Sequence, residues 1–127
     1  MTDQTARRLL AASAVVGAVA VAAGAFGAHA LRDVVTPERL EVWRTGAQYG
    51  LVHAVVGAFA ASRASVWSRR AAALFVAGAV VFSGSLYALV LLDVPVFGAV
   101  TPIGGVALIA GWLALARSAA EPARGEP

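Results

Sequence analysis

The sequence predicts an all-α protein, a four-transmembrane-helix bundle with N- and C-termini cytoplasmic and a second helix extended into the outer interface. Three observations lead there. Of the 127 residues, 60% are apolar and only 13% charged, about half the charged share of a soluble domain. The apolar residues gather into long runs separated by short polar turns. The arginines crowd to one side of those runs. A soluble domain of this length keeps too much surface for its volume to hide so much apolar area, whereas lipid covers it.

The first run, about 9–31, is interrupted only by Ser13 and His29. Some twenty apolar residues cross the ~30 Å hydrocarbon core at about 1.5 Å per residue. Arg7 and Arg8 before it, and Ala28-His29-Ala30 at its end, imitate a cleavable signal peptide. The run is long for such a segment, so an uncleaved span behind a cytoplasmic stretch, 1–8, is expected. Thr36-Pro37-Glu38 then opens a helix: a Thr cap, Pro in the first turn, an acid near the positive dipole end. This helix is expected over about 37–64. It starts in the outer headgroup region and crosses from about 46.

A basic turn around Arg63, Arg69 and Arg70 leads to the third span, 71–92, which Asp93-Val94-Pro95 ends. Thr101-Pro102 reads as a second capped start, with Thr101 as N-cap of a span over 102–117. The transmembrane domain thus covers 9–117, and 118–127 is too polar and Pro-rich to fold alone, giving a disordered cytoplasmic tail. Each half reads as a span, an Asp-Val, a loop, Val-Thr-Pro and a span, the pattern of a parallel repeat, although two short matches also arise by chance.

Orientation follows from the arginines. Four spans put Arg7, Arg8, Arg63, Arg69, Arg70, Arg117 and Arg124 on one side. Arg32, Arg39 and Arg44 fall on the other, offset by Asp33, Glu38, Glu41 and Asp93. The arginine-rich side should be cytoplasmic, in a cell inner (plasma) membrane crossed several times. The net charge of +3 does not argue for nucleic acid, because the basic residues mark the ends of runs instead of forming one face. With no Cys, disulfides and thiolate chemistry are excluded.

Small residues stripe the helices: Gly17 and Gly24 in the first, Gly46, Gly50 and Gly57 in the second, Gly78 in the third, Gly104 and Gly111 in the fourth. In lipid such stripes let backbones approach closely. The polar side chains His29, Gln48, Tyr49, His53, Ser83, Ser85, Tyr87 and Thr101, with Arg32 at the rim, are expected in the outer half, facing one another. They form either a hydrogen-bonded plug that fixes the bundle or a small cavity open to the outside. His53 should face the interior, with Tyr87, Ser85 or His29 as partner. His29 and His53 differ in depth by several ångström, which suits neither haem nor zinc, and zinc would need further ligands. No metal and no cofactor are therefore expected. Ser83 and Ser85 lack the basic partner of a hydrolase, so no enzyme is expected.

The segments GAFGAHALR, TPERLEVWRTGAQYGLVH, FSGSLY, TPIGG and GW resemble domain of unknown function 423, a family of small membrane proteins with YgdD-like bacterial members and the eukaryotic transmembrane protein 256. The resemblance runs from about Gly17 to Trp112. It implies four spans and brings no established activity. Gly50-Leu51 follows Tyr49 where the family pattern suggests a larger residue. The function expected is that of a structural or accessory membrane component, whose partners are the lipid bilayer and a second copy or a larger complex. The alternative is a protein that binds or transports a small ligand, a proton or a lipid headgroup through the polar residues around His29 and His53.

Overall fold

The computed structural model describes residues 3–122; Arg124 and the rest of 123–127 lie outside the described residues. The described residues are helical almost throughout. Helix α1 spans Asp3–Ala22, a π-helical turn follows over Ala23–Gly27, and α2 is the short Ala28–Leu31 that continues it. Helix α3 spans Pro37–Ser62, α4 Val66–Leu92 and α5 Phe97–Ser118. Among the described residues, three stretches are long and apolar enough to cross a membrane: Gln4–Leu31, Val66–Leu92 and Phe97–Ser118. Helix α3 is not among them, because Glu41, Arg44, Gln48 and His53 dilute its apolar run.

Two starts that look alike in sequence differ in structure. Thr36 caps α3 as expected: its backbone is extended and its hydroxyl accepts from the Arg39 N–H at 3.2 Å. Thr101 caps nothing. Helix α5 already begins at Phe97, and Thr101 sits one turn inside it, its hydroxyl donating to the Phe97 carbonyl at 3.2 Å, a bond typical of mid-helix Thr. The cause lies upstream. Asp93 takes a left-handed conformation (φ 53) that ends α4, and the Val94, Pro95 and Val96 carbonyls at once accept the N–H groups of Phe97, Gly98 and Ala99. Pro102, inside the helix, withholds an N–H only from the exposed Gly98 near the end. The two halves are thus built differently where the Val-Thr-Pro echo seemed strongest.

The core is alanine and glycine around few large side chains. Phe75 is fully buried and packs with Ala60, Ala61, Ala71, Ala72, Ala79 and Leu108. A second cluster gathers Ala23, Ala28, Leu40, Trp43, Ala47 and Val90. Glycines set the helix separations. A methyl group at Gly104 would meet the Phe82 backbone, with Cα at 2.7 Å, and one at Gly111 would meet the Phe75 ring at 2.7 Å. At Gly78 it would meet the Leu108 side chain at 2.7 Å and its backbone N at 3.0 Å. The small residues in α5 and α4 are therefore a packing requirement. The two ends are tied differently. Arg39 at the start of α3 forms an ion pair with Asp93 at the end of α4.

At the opposite end, Arg63 donates to the Ser118 hydroxyl at 2.6 Å and the Glu121 carboxylate accepts the Trp67 backbone N–H at 3.0 Å. The expected tail thus begins later than 118, since Ser118 closes α5 and Glu121 caps the first turn of α4. Ser65 caps the same helix at 3.1 Å from the Ser68 N–H, and the Ser68 hydroxyl reaches the Ala60 carbonyl at 2.8 Å. Arg70 and Arg117 lie over the Trp67 ring.

Candidate functional site: polar ties inside the bundle

The π turn positions the first tie. A fifth-residue bond runs from the Ala28 N–H to the Ala23 carbonyl, and the Trp43 indole N–H donates to the same oxygen at 2.8 Å. The indole lies on Gly27, where a methyl group would come within 2.8 Å of three ring atoms. Its other face meets Tyr87, with ring centroids 4.7 Å apart. One indole therefore joins the π turn, α3 and α4.

The next two ties are hydroxyls. Buried Ser83 donates across to the Gly46 carbonyl of α3 at 2.7 Å. Gly46 leaves room for this, since a methyl group there would stand 2.9 Å from Tyr87. Ser85 and Thr101 share a 2.6 Å bond between α4 and α5. Each also lies within reach of its own helix carbonyl, Phe82 at 2.8 Å and Phe97 at 3.2 Å. One proton goes between the hydroxyls and the other to a carbonyl, so neither is left over.

His53 is buried, 6% exposed, and both ring nitrogens are engaged. Nδ1 lies 2.7 Å from the Tyr49 carbonyl, and Nε2 is 3.1 Å from the Trp112 indole N–H. A carbonyl only accepts and an indole N–H only donates, which fits the Nδ1–H tautomer with Nε2 as acceptor. Phe75, Trp112 and Tyr49 surround the ring, and Tyr49 stacks in turn on Phe82. His53 thus faces the interior as expected, but its partner comes from α5, not from Tyr87, Ser85 or His29. It stands nine residues before the end of α3 at Ser62, about 13 Å along the helix.

His29 and Arg32 form a separate pair at the exposed rim, the guanidinium donating to Nδ1 at 2.8 Å. Gln48 is exposed on α3 and points out of the bundle. The residues expected to converge therefore divide: Tyr87 with Trp43, Ser83 with Gly46, Ser85 with Thr101, His53 with Trp112, His29 with Arg32. Sequence reasoning missed Trp43, Trp112 and Phe75. Trp–His contact between α3 and α5 had no local signature, since the partners lie 59 residues apart. The Trp43 seat on Gly27, the last residue of the π turn, likewise leaves no mark in the sequence beyond one more glycine. Ser13 departs from the pattern: fully buried against Gly57, its hydroxyl makes no hydrogen bond.

These features define a small helical membrane protein whose interior polar groups tie one helix to the next. The chain belongs to the family described as protein of unknown function (DUF423), whose model matches residues 23–105. It is similar to the UPF0382 membrane protein YwdK of Bacillus subtilis (strain 168), 46% identical over 100 residues, covering 75% of this chain and 81% of the relative. The UPF0382 membrane protein SAB0533 of Staphylococcus aureus (strain bovine RF122 / ET3-1) is 41% identical over 101 residues, 76% of this chain and 82% of its own. The UPF0382 inner membrane protein YgdD of Escherichia coli (strain K12) is 38% identical over 112 residues, 85% and 86% of the two chains. No solved structure matches the chain.

Proposed function

We propose that this protein is a structural or accessory component of the inner (plasma) membrane, crossing it four times with both termini cytoplasmic and catalysing no reaction. The observation that carries the reading is the set of interhelical ties. Ser83–Gly46, Ser85–Thr101, His53–Trp112 and Trp43–Ala23 use up the donors and acceptors that a ligand or a proton path would need. Polar contacts of this kind hold helices together where lipid supplies no hydrophobic drive. Transport through a single copy fits less well, because these contacts are spread along the helices and engage different pairs of neighbours.

Four crossings are supported by how α3 packs. Its 26 residues reach about 39 Å, enough to cross with two turns left over in the headgroups. It lies against α1 from Ala47 beside Gly24 to Gly57 beside Ser13, which supports a crossing of α3 alongside α1. Arg7, Arg8, Arg63, Arg69, Arg70 and Arg117 stand at one end of this bundle, and Arg32, Arg39 and Arg44 at the other, which favours the first end as cytoplasmic. The name of the E. coli relative as an inner membrane protein agrees with that location.

The test pairs location with role. Reporter fusions at both ends should give cytoplasmic signals, and a periplasmic signal from either defeats the topology. His53→Ala should lower resistance to denaturation in detergent by about 2 kcal/mol, the cost of emptying a packed site. Proteoliposomes should show the same proton flux with either protein. A flux lost in a normally folded His53→Ala variant would replace the structural reading with transport.

A further inference from the structure

On the face of α3 turned away from α4, three polar side chains follow one another: Glu41, Arg44 and Gln48, all exposed. They share one side of the helix and are separated along it by about 4.5 and 6 Å. Among the described residues no ion pair or side-chain hydrogen bond engages their side chains; Thr45 donates to the Glu41 backbone carbonyl, which leaves the carboxylate unused. Arg44 and Gln48 stand at the top of a groove of about 500 Å³ between α1 and α3. Its walls are apolar and shallow, with Val21, Gly24, Ala25 and Leu51 among them. Gly24 is not held small by packing, since a methyl group there would meet only Ala47 at an ordinary 3.7 Å. On the four-span reading, Gln48 then turns an amide toward hydrocarbon, which is costly without a partner.

We propose that this groove is a binding site for a phospholipid with a primary ammonium on its headgroup. The order of charges on α3 is the order of groups along such a lipid. The ammonium meets Glu41, the phosphate meets Arg44, an ester carbonyl accepts from the Gln48 amide, and an acyl chain lies along Gly24 and Leu51. Charge-assisted bonds of this kind are roughly twice as strong as neutral ones. A quaternary ammonium keeps the charge but has no N–H to give to Glu41, so the site discriminates between headgroups. A second copy of the chain fits the face less well, because packing the same patch about a two-fold axis brings Arg44 against its own counterpart.

The site rests on the proposed crossing of α3, and the test separates the two. The purified full chain is titrated in detergent with phosphatidylethanolamine, phosphatidylcholine and phosphatidylglycerol of equal acyl chains, and intact protein–lipid complexes are counted by mass spectrometry. One charge-assisted hydrogen bond predicts about tenfold tighter retention of the ethanolamine lipid than of the choline lipid. Glu41→Gln should erase that preference, the ethanolamine lipid losing more than the choline lipid. Arg44→Gln should weaken all three, and Ala25→Leu, on the exposed groove wall, should do so without touching the polar groups. Equal retention of the ethanolamine and choline lipids by the unaltered chain overturns the site, as does a preference that survives Glu41→Gln. A stable dimer that excludes lipid and falls apart in Gln48→Leu assigns the face to a second copy and overturns it too. The crossing is read independently in cells: Leu51→Cys, in a chain with no other cysteine, should resist a water-soluble maleimide. Labelling there defeats the four-span reading; protection there with no lipid preference defeats the site alone.

Discussion

Between α4 and α5, Gly78, Gly104 and Gly111 have no room for a methyl group; between α1 and α3 the fit loosens along the seam, from Gly57, where it would come within 2.8 Å of the Ser13 hydroxyl, to Gly24, where it would not crowd. Gly104 and Gly78 approach backbone atoms of the facing helix, Phe82 Cα at 2.7 Å and Leu108 N at 3.0 Å from an added Cβ. Gly17 and Gly24 would meet only the side-chain carbons of Ala54 and Ala47, at 3.3 and 3.7 Å. The same small-residue pattern in the sequence therefore has two physical causes. In the first seam glycine lets backbones touch, which is how helices associate in lipid. At Gly24, at the loose end of the second seam, it leaves a groove open to the surroundings.

The largest expected effect falls on the tight seam. Gly104→Ala places a methyl group on the Phe82 backbone, which cannot turn aside as a side chain can, so α5 must move away from α4. Overpacking of this kind costs about 3 kcal/mol, read as a lower midpoint in denaturant titration of the detergent-solubilised chain. A Gly104→Ala protein as stable as the parent would mean that the seam yields, and the contrast with α1–α3 would disappear.

How much of this was legible in the sequence depends on distance along the chain. The helices, their order and the interior placement of His53 follow from apolar runs and stripes that lie within single segments. Glycine stripes pointed correctly to helix contacts, but spacing alone does not tell Gly104 from Gly24, because the difference lies in what the other helix presents. The shared outer cluster was misread for a related reason. Depth along each helix placed His53, Tyr87 and Ser85 near one another, whereas rotation about each axis turned them to different neighbours. Thr101 shows the same limit at short range: Thr-Pro is a cap signal, yet the left-handed Asp93 and Pro95 had already started the helix.

The two threonines give an intermediate test of that distinction. Thr36→Ala removes a cap hydroxyl that accepts from the Arg39 N–H and should cost about 1 kcal/mol. Thr101→Ala removes one interhelical hydroxyl bond to Ser85, worth about 0.6 kcal/mol on average in a membrane bundle. Its loss should also loosen α5 against α4, visible as faster hydrogen exchange in the first turns of α5, while Thr36→Ala should leave that exchange alone. Equal effects of both changes on α5 would remove the reason for treating the two sites as different.

The smallest expected effect belongs to Gly24. A methyl group there meets the Ala47 Cβ at 3.7 Å, an ordinary contact that displaces nothing. The residue lies in the π turn, flanked by right-handed backbone at Ala22 (φ −60, ψ −44) and Ala28 (φ −60, ψ −38), so alanine meets no conformational barrier. Glycine within a helix is also less favourable than alanine by about 0.5–1 kcal/mol. Those terms together predict that Gly24→Ala leaves stability unchanged or raises it by up to about 0.5 kcal/mol. The same denaturant titration reads it beside Gly104→Ala, so detergent and fold are held constant. A loss of more than about 1 kcal/mol would show that α1 and α3 are packed as closely as α4 and α5, that Gly24 is small because the seam demands it, and that the groove beside it is a by-product of that packing.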